Sequence, residues 1–541
     1  ASDLALRVAK ESLRFEDRDY LDLYDRAWGN TARRSMKKGT EDTKDIQTNS
    51  YPYSNPLLTN DGVIMAYMSD GNSPDINETR ASWALLSGGE YQDQGPIQEV
   101  TDEAYADNNL AIDGNSDFAV AAWEQQKIKI NTEGALTESD ISAMINSSEI
   151  LAGVYDGHTW ETTPLTNNLV SDMGPVSAAN DDRAVVAWRS LAGSGTDRDG
   201  SQNAFKYDDV NDSILYKVYE NGAWSDETYT LYNGSSGNIK GMSAAMMPDG
   251  TTGITYTLDY GTDDDAWDCE TILAVIDENK DVIADVRLTN NDAADLNPQI
   301  AVVDFGGEEG LKFVVGWYNT TDDGIKDIKF AAADKTGNIS NRFIDSISSI
   351  NENSAVIVND SFRFVKNSSQ SIDDLTIIWV EPTLEYDETV SKNAENDCLK
   401  AVKFMRDSDS KIYLTAPLDV ATMANYTLID HLDAYSDTEN TVKAVLLCST
   451  YEGHLEDQGN GLYTVDSISS MKYTEKTFEN NIGIRDIYID YSEIKNNFRL
   501  PVVFTVTNLG IEAINSINIS LEPDDVEEVF DNLNLLPNQS I

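Results

Sequence analysis

A short apolar strand ending in an aromatic residue recurs along this 541-residue chain, and no other feature restricts the fold so tightly. Its copies are Ile64-Met65-Ala66-Tyr67, Val120-Ala121-Ala122-Trp123, Val185-Val186-Ala187-Trp188, Gly253-Ile254-Thr255-Tyr256, Val314-Val315-Gly316-Trp317 and Thr376-Ile377-Ile378-Trp379. A seventh, Val445-Leu446-Leu447-Cys448, puts cysteine in the aromatic place. The final residues of successive copies are 56 to 69 positions apart. Around each copy the same order repeats. A strand of small and β-branched residues precedes it, as in Pro298-Gln299-Ile300-Ala301-Val302-Val303 or Pro175-Val176-Ser177-Ala178-Ala179. A long loop rich in Asp, Asn and Gly follows, then an alternating strand such as Ile214-Leu215-Tyr216-Lys217-Val218-Tyr219, a tight turn and a fourth strand. Four strands per unit with little helical periodicity predict an all-β chain, a seven-bladed β-propeller of four-stranded antiparallel blades. The blades fall near residues 55–107, 108–172, 173–236, 237–294, 295–351, 352–423 and 424–481. Small residues on the first strand suit a crowded ring centre, and bulky aromatics suit packing between blades. A solenoid is the alternative.

Three units are expected: an N-terminal segment 1–50, the propeller 51–481 and a C-terminal segment 482–541. Leu4 to Leu23 mixes charged and apolar residues at three- and four-residue spacing, which predicts one or two short helices. Gly39 to Ser50 is polar and reads as a linker. No run of about 18 apolar residues occurs, so no helical membrane span is expected. Ala1-Ser2-Asp3 carries no basic-then-apolar leader pattern, which implies a removed signal peptide or an excised fragment.

The formal net charge is −55. Such a field excludes general affinity for nucleic acid or anionic lipid and favours hard cations, calcium above all. Solvation alone, or a halophilic origin, would also account for the acids; abundant Asn, Ile, Lys and Tyr speak against the second. Cys269, Cys398 and Cys448 cannot build a disulfide framework, and Cys448 reads as a small buried hydrophobe. A secreted chain so poor in cysteine suits the exterior of a Gram-positive bacterium.

The loops between second and third strands should emerge on one face and focus a negative field there. They include Ser69-Asp70-Gly71-Asn72, Gly261-Thr262-Asp263-Asp264-Asp265, Asn319 to Gly324, Glu385-Tyr386-Asp387-Glu388 and Glu452 to Asp457. The best calcium candidate is Asp197-x-Asp199-Gly200 followed by Asp208, Asp209 and Asp212, because alternate carboxylates before a glycine let oxygens converge in a tight loop. Asp263, Asp264 and Asp265 form a second candidate. The full EF-hand spacing is absent. His158, His431 and His454 show no zinc spacing, and no Gly-x-Ser-x-Gly turn or phosphate-binding glycine loop occurs.

Two resemblances add to this reading. From Arg485 the chain runs as Asp486-Ile487-Tyr488-Ile489-Asp490-Tyr491, Val502 to Gly510 and Ile514 to Leu521, then Leu536-Pro537-Asn538-Gln539-Ser540. This order resembles the CARDB-type Ig-like domains of bacterial cell-surface proteins over about the last 55 residues. It implies a β-sandwich, truncated before its last strands or complete as four, and a place within a larger surface protein. Tyr155-Asp156-Gly157-His158-Thr159-Trp160 and Tyr219-Glu220-Asn221-Gly222-Ala223-Trp224 resemble the Asp-box turns of sialidase-type propellers without the leading serine. The resemblance implies a structural role away from catalysis. The arginine triad of such enzymes has no counterpart, since Arg80, Arg183, Arg189, Arg198, Arg287, Arg342, Arg363 and Arg406 do not recur at one blade position.

The leading expectation is therefore an extracellular, cell-surface binding or adhesion module, not an enzyme, whose acidic loop face takes calcium and a glycan or protein ligand. A carbohydrate-active enzyme using carboxylates at the propeller centre, hydrolase or lyase, is the first alternative. A structural spacer is the second.

Overall fold

The computed structural model describes residues 43–541 with interruptions, the longest at 99–105, 130–146, 193–210, 261–268, 341–346, 349–360 and 490–501. The expected helices at the N-terminal end lie outside the described residues. Seven antiparallel blades follow one another, and their innermost strands are Leu57–Leu58, Asp107–Gly114, Ser171–Ala179, Asn238–Met246, Ala294–Asp304, Arg363–Phe364 and Thr427–Ser436. Each innermost strand touches that of the next blade, and the last touches the first, so the sheets close into a ring. The predicted seven-bladed β-propeller is what the chain forms.

Each aromatic-ended strand is second in its blade. Trp123, Trp188, Trp317 and Trp379 lie in apolar clusters shared with the preceding blade, and so do Tyr67 and Tyr256. Cys448 takes the same place between blades 6 and 7. The core is thus a set of wedges between blades rather than one central mass, and the indoles are its largest members.

Four of the seven innermost strands are kinked, within the strand or just before it. Asn55, Asn109, Gly174 and Asn297 adopt positive φ of 41, 45, 59 and 54°. Pro56, Leu110, Pro175 and Pro298 follow them, and the register slips between Asn108 and Ala111, Met173 and Val176, and Leu296 and Gln299. Asn and Gly tolerate the left-handed backbone, and proline is acceptable in a bulge because no ladder donor is needed there.

Blade 7 draws its outermost strand from the other end of the chain. Lys44–Thr48 pairs antiparallel with Tyr463–Thr477, in the register Lys44 to Tyr473 and Thr48 to Ser470. This corrects the linker reading of Gly39 to Ser50 over these positions. An outermost strand buries little, so a polar sequence with the single apolar Ile46, packed beside Met471 and Tyr473, suffices. Residues 482–541 form two ladders, Ile482–Ile489 with Val502–Asn508 and Ile514–Leu521 with Val526–Leu535. Val506, Ile514, Ile517 and Leu535 pack together there.

Candidate functional site

Strands alternate in direction within a blade. The turns from first to second and third to fourth strand therefore lie at one end of the disc, and the second-to-third connections and the blade crossovers at the other. At the turn end, Asn115, Asn180 and Asp249 each accept backbone amides two or three residues on. Asp156, Asp277 and Asp334 do the same after the third strands. The Asp-box-like turn at Asp156 is one of these; the second, at Glu220 to Ala223, lies at the same end, with Glu220 bound to Arg183 and Lys280. Tyr155 packs on Trp160 at 5.2 Å and Tyr219 on Trp224 at 5.4 Å between ring centres, a structural use of the motif.

The opposite end carries the acidic connections. Residues 193–210 join Ala184–Ala192 to Asn211–Glu220, and residues 261–268 join Thr252–Asp259 to Cys269–Ile276. Asp197, Asp199, Asp208, Asp209, Asp263, Asp264 and Asp265 lie outside the described residues. Asp212 is described and buried. Its Oδ2 accepts from Arg189 Nη2 at 2.7 Å and from the Ile239 amide of blade 4 at 3.0 Å, so it ties two blades together. Three stretches expected as loops belong instead to hairpins, the shortest where Thr321 pairs with Gly324 in blade 5. The ladder of blade 6 runs out to Asp387 opposite Lys392, and that of blade 7 to Asp457 opposite Tyr463.

Asp212 belongs to a series that sequence reasoning missed. Near the start of their third strands, Glu149, Glu270 and Asp397 reach the crossover to the next blade. Glu149 accepts from the Asn168 amide at 2.7 Å, Glu270 from the Asn291 amide at 2.9 Å, and Asp397 from the Ile429 amide at 2.8 Å. In two crossovers the match extends further. Asn168 Nδ2 donates to Asp172 at 2.9 Å and Asn291 Nδ2 to Asp295 at 2.7 Å; Trp188 and Asn319 donate to the other oxygens of these aspartates. The sequence carried the signal. Leu165-Thr166-Asn167-Asn168 with Asp172 and Pro175 is repeated as Leu288-Thr289-Asn290-Asn291 with Asp295 and Pro298. Burial pushes Glu149, Asp172 and Asp295 up; both oxygens of Asp172 and of Asp295 have donors, whereas the buried Oε2 of Glu149 has no hydrogen-bond partner among the described residues. Repetition at two junctions identifies these carboxylates as braces between blades rather than an acid–base pair at one centre.

Asp107, which opens the innermost strand of blade 2, ties that blade to the Ala81 amide of blade 1. Burial raises its carboxyl to about 6, against donation from Gln125 Nε2 at 3.0 Å and the Ala81 amide at 3.1 Å. Between the unfolded value of 3.8 and about 6 the native state holds a proton that the unfolded chain has released. This contribution to stability is complete below pH 3.8 and is lost as pH rises through about 6. Relative to Asp107→Asn, the wild type should gain a few kcal/mol at most on going from pH 7.5 to pH 4.5, at about 1.4 kcal/mol per unit. Urea unfolding at both pH values measures it; equal pH dependence in the two proteins would refute the assignment.

The other sequence candidates are placed as follows. Cys269, Cys398 and Cys448 are buried and form no disulfide. The arginines serve separate places: Arg183 binds Glu220, Arg287 binds Glu270, and Arg406 donates to the Phe305 carbonyl. Among the described residues, no group of three or more His, Cys, Asp or Glu side chains is arranged to hold a metal.

No protein-family model matches the chain. No curated protein matches it. Among solved structures, a Trypanosoma rangeli sialidase in complex with sialic acid is similar at 8% identity and a TM-score of 0.35, covering 72% of this chain and 56% of that one. This chain thus spans little more than half the length of that sialidase. A polysaccharide lyase of the PL25 ulvan lyase family is similar at 10% identity and TM-score 0.33, covering 79% and 92%. A protein of unknown function from Dyadobacter fermentans is similar at 8% identity and TM-score 0.38, covering 68% and 94%.

Proposed function

We propose that this chain is an extracellular binding module whose acidic end takes calcium and, through it, a glycan or protein ligand. The observation that carries the reading is topological: the second-to-third-strand connections leave the disc at one end, and those of blades 3 and 4 contain Asp197, Asp199, Asp208, Asp209 and Asp263 to Asp265. Oxygen-rich loops gathered on one rim are the donor chemistry that calcium needs. Asp172, Asp212 and Asp295 nearby are already engaged by amides, Asn, Trp and Arg, which favours the loop acids as the ion's ligands. The flanking segments support the same orientation. Lys44 and Thr477 both lie at the opposite end, so residues 1–43 and 482–541 attach there and leave the acidic end facing outward. With the CARDB-like C-terminal segment, this favours a surface-anchored protein.

Calcium titration of the full chain should raise its unfolding midpoint, with half-effect near 10⁻⁴–10⁻³ M as in extracellular modules. EGTA should reverse the shift, and Asp197→Ala with Asp199→Ala should abolish it. Glycan-array binding that needs calcium and yields no turnover completes the case. Release of sugars or of unsaturated ends would replace it with a carbohydrate-active enzyme, and silence in both assays with a spacer.

A further inference from the structure

Blades 3 and 4 pack through a shared apolar cluster but leave an opening along one part of their junction. Trp123, Trp188, Trp317 and Trp379 fill four junctions, whereas this one receives Tyr256. A cleft of about 360 Å³ opens beside it, at the lower end of the range for small-ligand pockets. Tyr256 donates its hydroxyl to Asp285 Oδ1 at 3.2 Å, and the ring of Tyr232 lies 5.9 Å from that of Tyr256. Leu258 and Ile272 supply a small apolar floor, and Tyr260 lines the cleft with the Arg287 guanidinium 4.7 Å above its ring.

The junction between blades 7 and 1 shows the same construction closed. Tyr67 stands where Tyr256 stands and donates to Asp93 at 2.8 Å, and Asp93 pairs with Ala84 as Asp285 pairs with Ala274. There Tyr91 fills the space, its hydroxyl donating to that of Tyr67 at 2.8 Å. Tyr91 lies opposite Leu86, and the matching place in blade 4, opposite Ile276, holds the short, exposed Val282.

We infer that this cleft is a binding site for one residue of a neutral saccharide; it lies toward the end that carries the acidic connections but uses none of the loop acids proposed to hold calcium, and so is independent of that proposal. Hydroxyl-rich ligands match a wall of phenol groups, Asn233 and a carboxylate beside a small apolar floor, since paired hydroxyls donate to Asp285 while ring C–H groups pack on the aromatic face. An anion would meet Asp285 within a chain of net charge −55. A cation would seek the face of Tyr260, which Arg287 already covers.

The test is ligand-observed NMR and calorimetry on the full chain with glucose, galactose, mannose and N-acetylglucosamine and their di- and trisaccharides, with choline as the cationic probe. Saturable binding of a neutral sugar, unaffected by EGTA, is the expected result. Asp285→Asn should weaken it at least tenfold, and Asn233→Trp, a change at an exposed residue that lines the cleft, should weaken it as far without moving the unfolding midpoint. No saturable sugar binding, binding indifferent to both variants, or tighter binding of choline would each overturn the inference. Loss of the calcium response at the acidic end would leave it untouched.

Discussion

Asp433→Ala will lower the unfolding free energy by about 3–5 kcal/mol, because it strands a lysine at the meeting of three blades. Asp433 is 3% exposed on the innermost strand of blade 7. Its Oδ2 accepts from Lys366 Nζ of blade 6 at 2.8 Å and from the Leu58 amide of blade 1 at 2.8 Å, and Lys366 also donates to the Leu58 carbonyl. Lys366 is close enough to Asp113 of blade 2 that its charge offsets part of the burial that pushes that carboxyl up. Removing the carboxylate leaves an ammonium and an amide without their acceptor in a low-dielectric place. Pairing Asp433→Leu with Lys366→Met removes the orphaned charge as well. That double variant should recover most of the loss and retain about 1–3 kcal/mol for the Leu58 amide. Denaturant titration of the three proteins measures both steps. A loss under about 1 kcal/mol for the single variant would show that the pair does not hold the centre.

Removing residues 1–48 should open the ring, whereas removing residues 1–42 should not. The five-residue strand Lys44–Thr48 covers the edge of Tyr463–Thr477 and fastens blade 7 to blade 1. Asp45 pairs with Lys472 at 2.8 Å, and Lys44 donates to the Gly89 carbonyl at 3.0 Å. Without the strand, unpaired amides and carbonyls line an edge built for pairing. Thermal unfolding should begin several degrees lower in the shorter protein, and light scattering should show dimers and larger species that the 1–42 deletion lacks. A monomer with an unchanged midpoint would remove the closing role from this strand.

The number of blades was legible because the aromatic-ended strand sits where the core is, between sheets, and burial leaves a strong sequence imprint. The closing strand was not, since Lys44 to Thr48 bury only part of Ile46 and look like any polar connection. Acidic residues were the hardest to read. Asp212 resembles a loop ligand in the run Asp208-Asp209-Val210-Asn211-Asp212, and only the fold shows it turned inward toward Arg189 and the next blade. Composition counts a brace and a solvated carboxylate alike. The repeated Leu-Thr-Asn-Asn runs separate them, because an Asn fixed in register with a buried Asp is a geometric requirement rather than a matter of charge.

The antiparallel pairing of the closing strand has a mechanical consequence. Lys44 lies opposite Tyr473, so the chain enters and leaves blade 7 from the same edge of one two-stranded ladder. Tension applied through both flanking segments would load its hydrogen bonds singly, from that edge inward, instead of all together. A protein held between two attachments would then part like a zip at low force, and the ring would be undone at its fastening while the remaining wedges stayed packed.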